Sequence, residues 1–400
     1  MRRRVARFVF VFLLGTGAMV LGVVTSMTLT PPGRDLLARM VSRLLDRIVN
    51  GHVEVGAISG SFLYDLTLQD LVVRDTSGAL LADLPRVKVG FRLPNLLAGQ
   101  VVLSTVQLDR PVLQLIKHRN GRMNYEEVLR LGKGRPGGPS PLVDFYDVRM
   151  HGGTLRIALP WNPDRRLRTQ GQRDSALAAQ RSLPGRIIEE SPEGLRRVIL
   201  LSDLTTRIAR LRITTPDRQP FTVDLDSLAT RINDPAVTVR DAVGRVRLRG
   251  DSAVFSLAEG ALPDTRFSGG GAVTWPRDTI LYDFQVISPH VNLDDLRWVS
   301  PDFPSMTGSG VLAARSVTGA RTEYDIRDLH LRDGPQRIDG ELVAITDKQR
   351  GLGFRDMRVS LADLDLDAAR VYVDSLPFFG TLTGTVAGSG FLTDMDVRID

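Results

Sequence analysis

Apolar and polar residues alternate along most of the chain from Val53 onward. The segments RVKVGFRL and GRVRLRG show this most clearly, with basic residues between the apolar ones. A period of two places successive side chains on opposite faces of a strand. The apolar set comprises Val87, Val89, Phe91 and Leu93 in the first segment, and Val246 and Leu248 in the second. The pattern predicts a mainly β chain whose strands have one apolar and one solvated face.

The alternation changes parity inside the segment DLTLQDLVV. The apolar positions on either side of the change are Leu66, Leu68, Leu71 and Val73. One extra residue at Gln69-Asp70 would return all four to one face, which is what a β-bulge does. The same slip separates Leu361 from Leu364. Because bulges bend and twist a sheet, we expect an elongated antiparallel sheet that is curved rather than flat.

Short patterns recur along the chain. An Asp followed by alternating apolar residues appears in QDLVVRDTSG (69–78), YDVRMHGG (146–153), RDLHLRDG (327–334) and RDMRVS (355–360). Glycine-rich runs appear in SGGGAV (268–273), TGSGVL (307–312) and AGSGFL (387–392), where turns and strand starts are expected. Together with the match of LDDLRW at 293 to LDAARV at 366, they form a loose repeat of roughly 70 residues, typical of a stacked array.

The N-terminus carries an uncharged apolar run, Phe8 to Leu29, preceded by four arginines. As a helix its 22 residues reach about 33 Å, which matches a hydrocarbon core of about 30 Å. The arginines predict a cytoplasmic N-terminus with the bulk of the chain across the membrane. A cleaved signal peptide is the alternative, with Val24-Thr25-Ser26 as the cleavage region, but the apolar run continues past that point. We expect a transmembrane anchor over residues 1–30.

Residues 34–50 show apolar positions at three- and four-residue spacing, with arginines on much of the remaining surface. This predicts an amphipathic helix, which either lies on a membrane surface or packs on the first strands. A first β segment is expected over residues 52–159. Residues 160–200 are polar, basic and rich in proline, and predict an insertion with one short helix. Further β segments are expected over residues 201–400, and the chain is expected to be the N-terminal part of a longer array.

Composition and motifs offer little chemistry. The formal charge of +6 is spread along strands, and neither RNA-binding aromatic motifs nor zinc-finger spacings occur, so nucleic acid is not an expected partner. The chain has no cysteine, and its five histidines lack metal-ligand spacing. Asp363, Asp365 and Asp367 resemble the start of a calcium loop, but Ala368 replaces the required glycine. We therefore expect no enzyme, no cofactor and no metal site.

The order of these parts resembles the N-terminus of the TamB and AsmA-like family of envelope proteins. The resemblance rests on the arginine-flanked apolar run, the helix LLARMVSRLLDRIV, the segment SGSFLYDLTLQDLVVRD and the motif RPVLQL. It implies an inner-membrane anchor and a periplasmic β-taco, a long sheet folded into an apolar groove. It also implies shuttling of phospholipids toward the outer membrane, or help in assembling outer-membrane proteins with a partner barrel. The family offers no catalytic residues to transfer.

An apolar sheet face must be covered, and acyl chains of phospholipids would cover one that lines a groove. The alternation alone gives the candidate lining: Leu66, Leu68, Leu71, Val73, Val87, Val89, Phe91, Leu93, Val246 and Leu248. Ordinary core positions of a sandwich are the competing interpretation. For function, a lipid-carrying groove competes with a scaffold whose strand edges pair with outer-membrane client proteins. An envelope enzyme or polysaccharide-binding solenoid is disfavoured, because the three tryptophans are scattered.

Overall fold

The computed structural model describes the chain from Asn50 onward, with gaps. The described ranges are 50–61, 65–92, 94–95, 100–128, 142–163, 167–214, 221–249, 252–274, 281–318, 320–365 and 380–400. The expected transmembrane run Phe8 to Leu29, nearly all of the expected amphipathic helix, and Leu93 lie outside them. Among the described helices, none is long and apolar enough to span a membrane.

The protein is mainly β, and its twenty described strands belong to one mixed, mostly antiparallel sheet. The chain divides into two compact units. Unit 1 comprises Met1–Ser182, Ile187–Thr205 and Arg210–Gln219, and unit 2 comprises Leu183–Arg186, Thr206–Ala209 and Pro220–Asp400. The expectation of a wholly antiparallel sheet needs correction, because two strand pairs in unit 1 run parallel.

The described part of unit 1 includes two short helices and the first eight strands, except that Thr206–Ala209 of the eighth strand belong to unit 2. The strands are β1 (His52–Ser61), β2 (Asp65–Arg74), β3 (Leu80–Phe91), β4 (Val101–Asp109), β5 (Val112–Ile116), β6 (Val143–Pro160), β7 (Ile187–Ser191) and β8 (Gly194–Thr214). The helices are α1 (Asn124–Val128) and α2 (Gln170–Arg181). Strands β1 to β4 pair antiparallel in sequence order, and β4 and β5 both pair parallel with β6.

Unit 2 is a succession of antiparallel neighbours. Its strands are β9 (Phe221–Asn233), β10 (Ala236–Val239), β11 (Asp241–Arg249), β12 (Ser252–Ala261), β13 (Arg266–Thr274), β14 (Leu281–Asn292), β15 (Thr307–Thr318), β16 (Arg321–Asp333), β17 (Gln336–Asp347), β18 (Gly351–Asp365), β19 (Thr381–Phe391) and β20 (Asp396–Ile399). Strands β11 to β20 each pair with the next in sequence, and a 3-10 helix (Leu293–Leu296) lies between β14 and β15.

The predicted insertion is partly regular. Helix α2 lies within it and begins at a capping box, in which Thr169 and Gln172 satisfy each other's backbone N–H groups. Strands β7 and β8 also begin inside it, at Ile187 and Gly194. The strand-rich part of the chain therefore resumes before residue 201, where the sequence pattern placed it.

Among the described residues, seven that are not glycine have a left-handed backbone, with φ between 45° and 53°, and six of them are aspartates. These are Asp70, Asp147, Asp203, Asp328, Asp356 and Asp363, and four of them are the Asp of the recurrent sequence pattern. Aspartate is one of the few residues that adopt this conformation, because its short side chain can form hydrogen bonds with the nearby backbone. Each lies inside a strand and is followed by an apolar residue that is buried or half-buried. The recurrent pattern thus marks places where a strand changes parity.

In unit 2 these irregularities form a continuous row across the sheet. From β11 to β19 every adjacent pair shifts register by one residue at the same level. The extra residue belongs to β12, β14, β16 or β18, so bulged and regular strands alternate. Each bulged strand has two consecutive exposed residues there, such as Arg327 and Asp328 on β16. We call this feature the bulge row. The bulge predicted between Leu361 and Leu364 is also present, as a second shift between β18 and β19.

In unit 1 the parity change at Asp70 takes a different form from the one predicted. Pairing of β2 with β1 and β3 resumes beyond Asp70 without any register shift at that level. The neighbouring strands change parity too, at Gly56 on β1 and Pro85 on β3, which lie level with Asp70. Leu66, Leu68 and Leu71 are all buried as a result. The prediction that these three leucines share one side is confirmed, but three strands change parity together instead of one strand carrying an extra residue.

The glycine-rich runs lie inside strands β13, β15 and β19 rather than in turns. The reason is close approach between backbones. A Cβ atom on Gly308 would overlap the carbonyl oxygen of His330 on β16, and one on Gly269 would overlap that of Gln285 on β14. Glycine at these positions lets neighbouring strands pack where a larger residue would push them apart.

Candidate functional site

The candidate site is an apolar face of the unit 2 sheet, built from three rows of residues that run across the strands. The middle row alternates aromatic and small residues: Phe255, Gly271, Phe284, Ala314, Tyr324, Ala344, Phe354 and Gly390. Strands β12, β14, β16 and β18 supply the rings, and β13, β15, β17 and β19 supply Gly or Ala. Phe255 and Phe284 lie on either side of Gly271, with ring centroids 6.2 Å apart. The Gly and Ala residues leave space above the sheet for the aromatic rings of the neighbouring strands.

The second row lies next to the bulge row and is aliphatic. It consists of Leu257, Gly269, Val286, Leu312, Ile326 and Leu342. The third, outer row lies toward the opposite strand ends and is partly hydroxylated. It consists of Ala253, Val273, Tyr282, Ser316, Thr322, Thr346 and Leu352. We call the three rows together the uncharged face, because none of their residues is an Asp, Glu, Lys, Arg or His.

Charged residues of the same strands point to the opposite face. On β16, Glu323 and Asp325 alternate with the uncharged Thr322, Tyr324 and Ile326. The carboxylate of Glu323 accepts hydrogen bonds from Arg355 at 3.0 and 3.2 Å and from Arg321 at 2.7 Å. The hydrogen bond from Arg355, followed by the other arginine contacts, holds the pKa of Glu323 below its ordinary value. The sheet therefore separates a charged face from an uncharged one.

The uncharged face is only half covered. All four aromatic residues of the middle row are half-buried, although large apolar side chains in a layered core are usually fully buried. In the outer row Tyr282 and Leu352 are each 36% exposed. Exposure falls beyond the bulge row, where Val291, Met306 and Leu331 are buried against the loop that contains the 3-10 helix. The face is thus open at one strand end and covered by its own chain at the other.

The candidate lining residues divide between the two units. In unit 1, Leu68, Leu71 and Val87 form one buried cluster, against which Val73 and Val89 pack. Leu66 and Phe91 are buried as well, at 8% and 5% exposed. In unit 2, Val246 pairs with Phe255 and extends the middle row, and Leu248 pairs with Ala253 and extends the outer row. Leu248 is 37% exposed, so an external ligand reaches the unit 2 positions more readily than those of unit 1.

Unit 1 also contains a buried charge that the sequence did not indicate. Asp144 on β6 is 2% exposed and accepts hydrogen bonds from Arg210 Nε at 3.0 Å and from Tyr146 at 3.1 Å. Arg212 Nε lies 3.9 Å from the same carboxylate. Burial, then the charge of Asp144, raises the pKa of Tyr146. The cluster has the character of a structural ion pair, since its carboxylate is enclosed by its partners.

Groups suited to metal chemistry are not clustered in the described part of the chain. No three His, Asp or Glu side chains there are arranged to hold a metal ion. Asp363 and Asp365 are exposed on β18, while Asp367 lies outside the described residues. The uncharged face can offer contact with hydrocarbon and, in its outer row, hydrogen bonds from hydroxyl groups.

The alternating aromatic row was missed at the sequence level, although its signal is present. Every second strand contributes one aromatic ring, but the number of residues between successive rings varies with the length of the hairpins. The rings can therefore be recognised as a row only when the register of the strands is known. Comparison with known proteins adds no further information: the chain matches no family model, no curated protein and no solved structure.

Proposed function

We propose that this protein is a membrane-anchored carrier whose uncharged face conducts phospholipid acyl chains across the periplasm, from the inner membrane to the outer membrane. One observation carries the proposal: three adjacent rows of uncharged residues lie on paired strands, and all of these residues except Ala314 are half-buried or exposed. Large exposed apolar patches on soluble proteins mark contacts with ligands, partners or membranes. The expected N-terminal anchor and the resemblance to TamB and AsmA-like proteins support a position between the two membranes. In this proposal the sheet curves into a groove around its cargo.

The proposal makes unit 2 the place to test. A charge at Phe91 or Leu68 would be buried, and the several kcal/mol lost from folding would hide any effect on lipid. Leu248 and Leu352 are 37% and 36% exposed, so aspartate there remains compatible with folding. Val254 on β12 is 50% exposed and points to the opposite face, which makes Val254→Asp a matched control.

The experiment compares Leu248→Asp, Leu352→Asp and Val254→Asp in the full chain, expressed in cells. Lipid that co-purifies is quantified by mass spectrometry, and the outer-membrane barrier is measured in a strain that depends on the chain. We expect the first two substitutions to lower bound lipid at least about tenfold, since a carboxylate in contact with hydrocarbon costs roughly 2–3 kcal/mol. The control should resemble the wild type. Wild-type lipid content in the Leu248→Asp and Leu352→Asp variants would contradict the proposal, and client crosslinks confined to strand edges would favour the scaffold function.

A further inference from the structure

The outer row of the uncharged face differs from the other two rows in its serine and threonine hydroxyls, since the only hydroxyl in those two rows is the phenol of Tyr324. Ser316, Thr322 and Thr346 are cross-strand neighbours on β15, β16 and β17. Ser316 Oγ lies 3.4 Å from Thr322 Oγ1 and accepts the backbone N–H of Tyr282 at 3.0 Å. Hydroxyls donate to ester and phosphate oxygens without bringing charge into an apolar site. Lys348 lies exposed in the turn that follows Thr346 and adds a cation at this edge.

Polarity therefore changes in one direction along the strands. On β15 to β17, a turn in which Lys348 and Arg350 outnumber Asp347 is followed by hydroxyls, then by Tyr324 between two alanines, then by aliphatic side chains, and finally by the covered end beyond the bulge row. A phospholipid presents the complementary order: an anionic phosphate, glycerol esters, and a hydrocarbon chain. The match in charge and polarity favours this occupant over a second protein layer, which would have no reason to show such a gradient.

The length of the open face also fits. Four residues separate Thr322 in the outer row from Ile326 in the aliphatic row, or about 13 Å at a rise of about 3.3 Å per residue. One leaflet of a bilayer has a hydrocarbon layer of about 15 Å, half of the usual core. Beyond Ile326 the strand is bulged, and Met306 is 2% exposed, packed with Leu331 in the same cluster. The open part of the face is thus about as deep as one acyl chain is long.

We propose that each bound phospholipid lies along the strands, with its glycerol esters at Ser316, Thr322 and Thr346 and the end of its acyl chain at the bulge row. This inference rests on the proposed function and adds an orientation, a headgroup rim and a limit on chain length. The loop between β14 and β15 closes the site at the methyl end. The three hydroxyl residues are positioning residues for the headgroup.

Photo-crosslinking in cells tests the orientation. A benzophenone amino acid replaces Tyr282 in the outer row or Ile326 in the aliphatic row, and Asp325 on the charged face serves as the control. Mass spectrometry of the adducts locates the linked carbon. We expect links near the glycerol from position 282, links near the terminal methyl from position 326, and no lipid from position 325. The same distribution of linked carbons from 282 and 326, or the reverse order, would overturn the inference while leaving lipid carriage intact. Absence of lipid from both would overturn the proposed function itself.

Binding of single-chain lysophosphatidylglycerol to the full chain tests the rim and the length limit. Affinity should rise about two- to fourfold per methylene until the chain reaches the bulge row, and then level off. Thr322→Val and Thr346→Val keep the side-chain shape and should each weaken binding about two- to tenfold. Thr385→Val, on the opposite face of β19, should leave binding unchanged. An unbroken rise in affinity through the longest chains, or equal binding by all three valine variants, would overturn the inference.

Discussion

The left-handed aspartates can be tested by replacing Asp328 and Asp283 with glycine and with valine. We expect the glycine variant to be the more stable one at Asp328 and the valine variant to be the more stable one at Asp283. Asp328 on β16 has φ of 50°, whereas Asp283 on β14 is an exposed strand residue without a positive φ. A left-handed backbone costs an ordinary residue about 1–2 kcal/mol, and a β-branched side chain is least tolerated there. Glycine has no such strain, although the greater conformational entropy of its unfolded chain lowers the free energy of unfolding by up to about 1 kcal/mol.

At Asp328 we therefore expect glycine to be more stable than valine by about 2 kcal/mol. At Asp283 the order reverses: glycine loses strand propensity and valine gains it, so valine should be more stable by about 1 kcal/mol. The difference between the two sites is about 3 kcal/mol, well above the error of a denaturation measurement. Its sign does not depend on the absolute stability of either unit.

The assay is urea denaturation of the four variants, followed by far-UV circular dichroism, with transition midpoints compared at equal slope. The same order of glycine and valine at both sites would show that Asp328 does not need its left-handed backbone. The reasoning about the recurrent Asp pattern would then fail, and with it the explanation of the bulge row on β16.

Two further predictions concern ionic contacts. Asp144→Asn should lower the free energy of unfolding by about 2–3 kcal/mol, because Arg210 and Arg212, both partly buried, lose the carboxylate they contact. Asp226 forms an exposed pair with Arg207, so the control Asp226→Asn should lower the free energy of unfolding by less than about 0.5 kcal/mol. Equal effects of the two substitutions in urea denaturation would contradict this prediction. Glu323→Gln should cost about 1 kcal/mol or less at neutral pH. Since the folded pKa of Glu323 is depressed, its contribution is present above the unfolded value and is lost as the pH falls below about 4. The wild type and variant should converge in acid, and a constant difference from neutral pH down to about pH 3 would refute the assignment.

Much of the local structure could be predicted from the sequence. Alternation identified strands because a sheet with one wet face must place its apolar residues every second position. The parity change between Leu68 and Leu71 predicted that both residues face the same side of the sheet, and the burial of both confirms it. The sequence did not show whether one strand carries an extra residue or three strands change parity together, because that depends on Gly56 and Pro85 in the neighbouring strands. In the sequence alone, a single glycine or proline in a strand does not indicate a parity change.

The candidate site was less accessible to prediction. Leu248 and Phe91 have the same pattern around them, yet the first is 37% exposed and the second 5%. The burial of a side chain depends on what packs over its face of the sheet. Alternation of apolar and polar residues shows which residues share a face but not whether another part of the protein covers it. The aromatic row depends on register, which is set jointly by hairpin lengths and by bulges. Sequence reasoning therefore found the apolar positions but not which of them remain open.

The alternation of bulged and regular strands in unit 2 has a consequence for how such a chain can change its length. Removing or adding one strand would place two bulged strands, or two regular ones, side by side and break the bulge row. Removing or adding two adjacent strands leaves every remaining neighbour with the partner type it already had. The hairpin is therefore the smallest unit of duplication that the sheet tolerates, and descendants of this chain should differ by even numbers of strands.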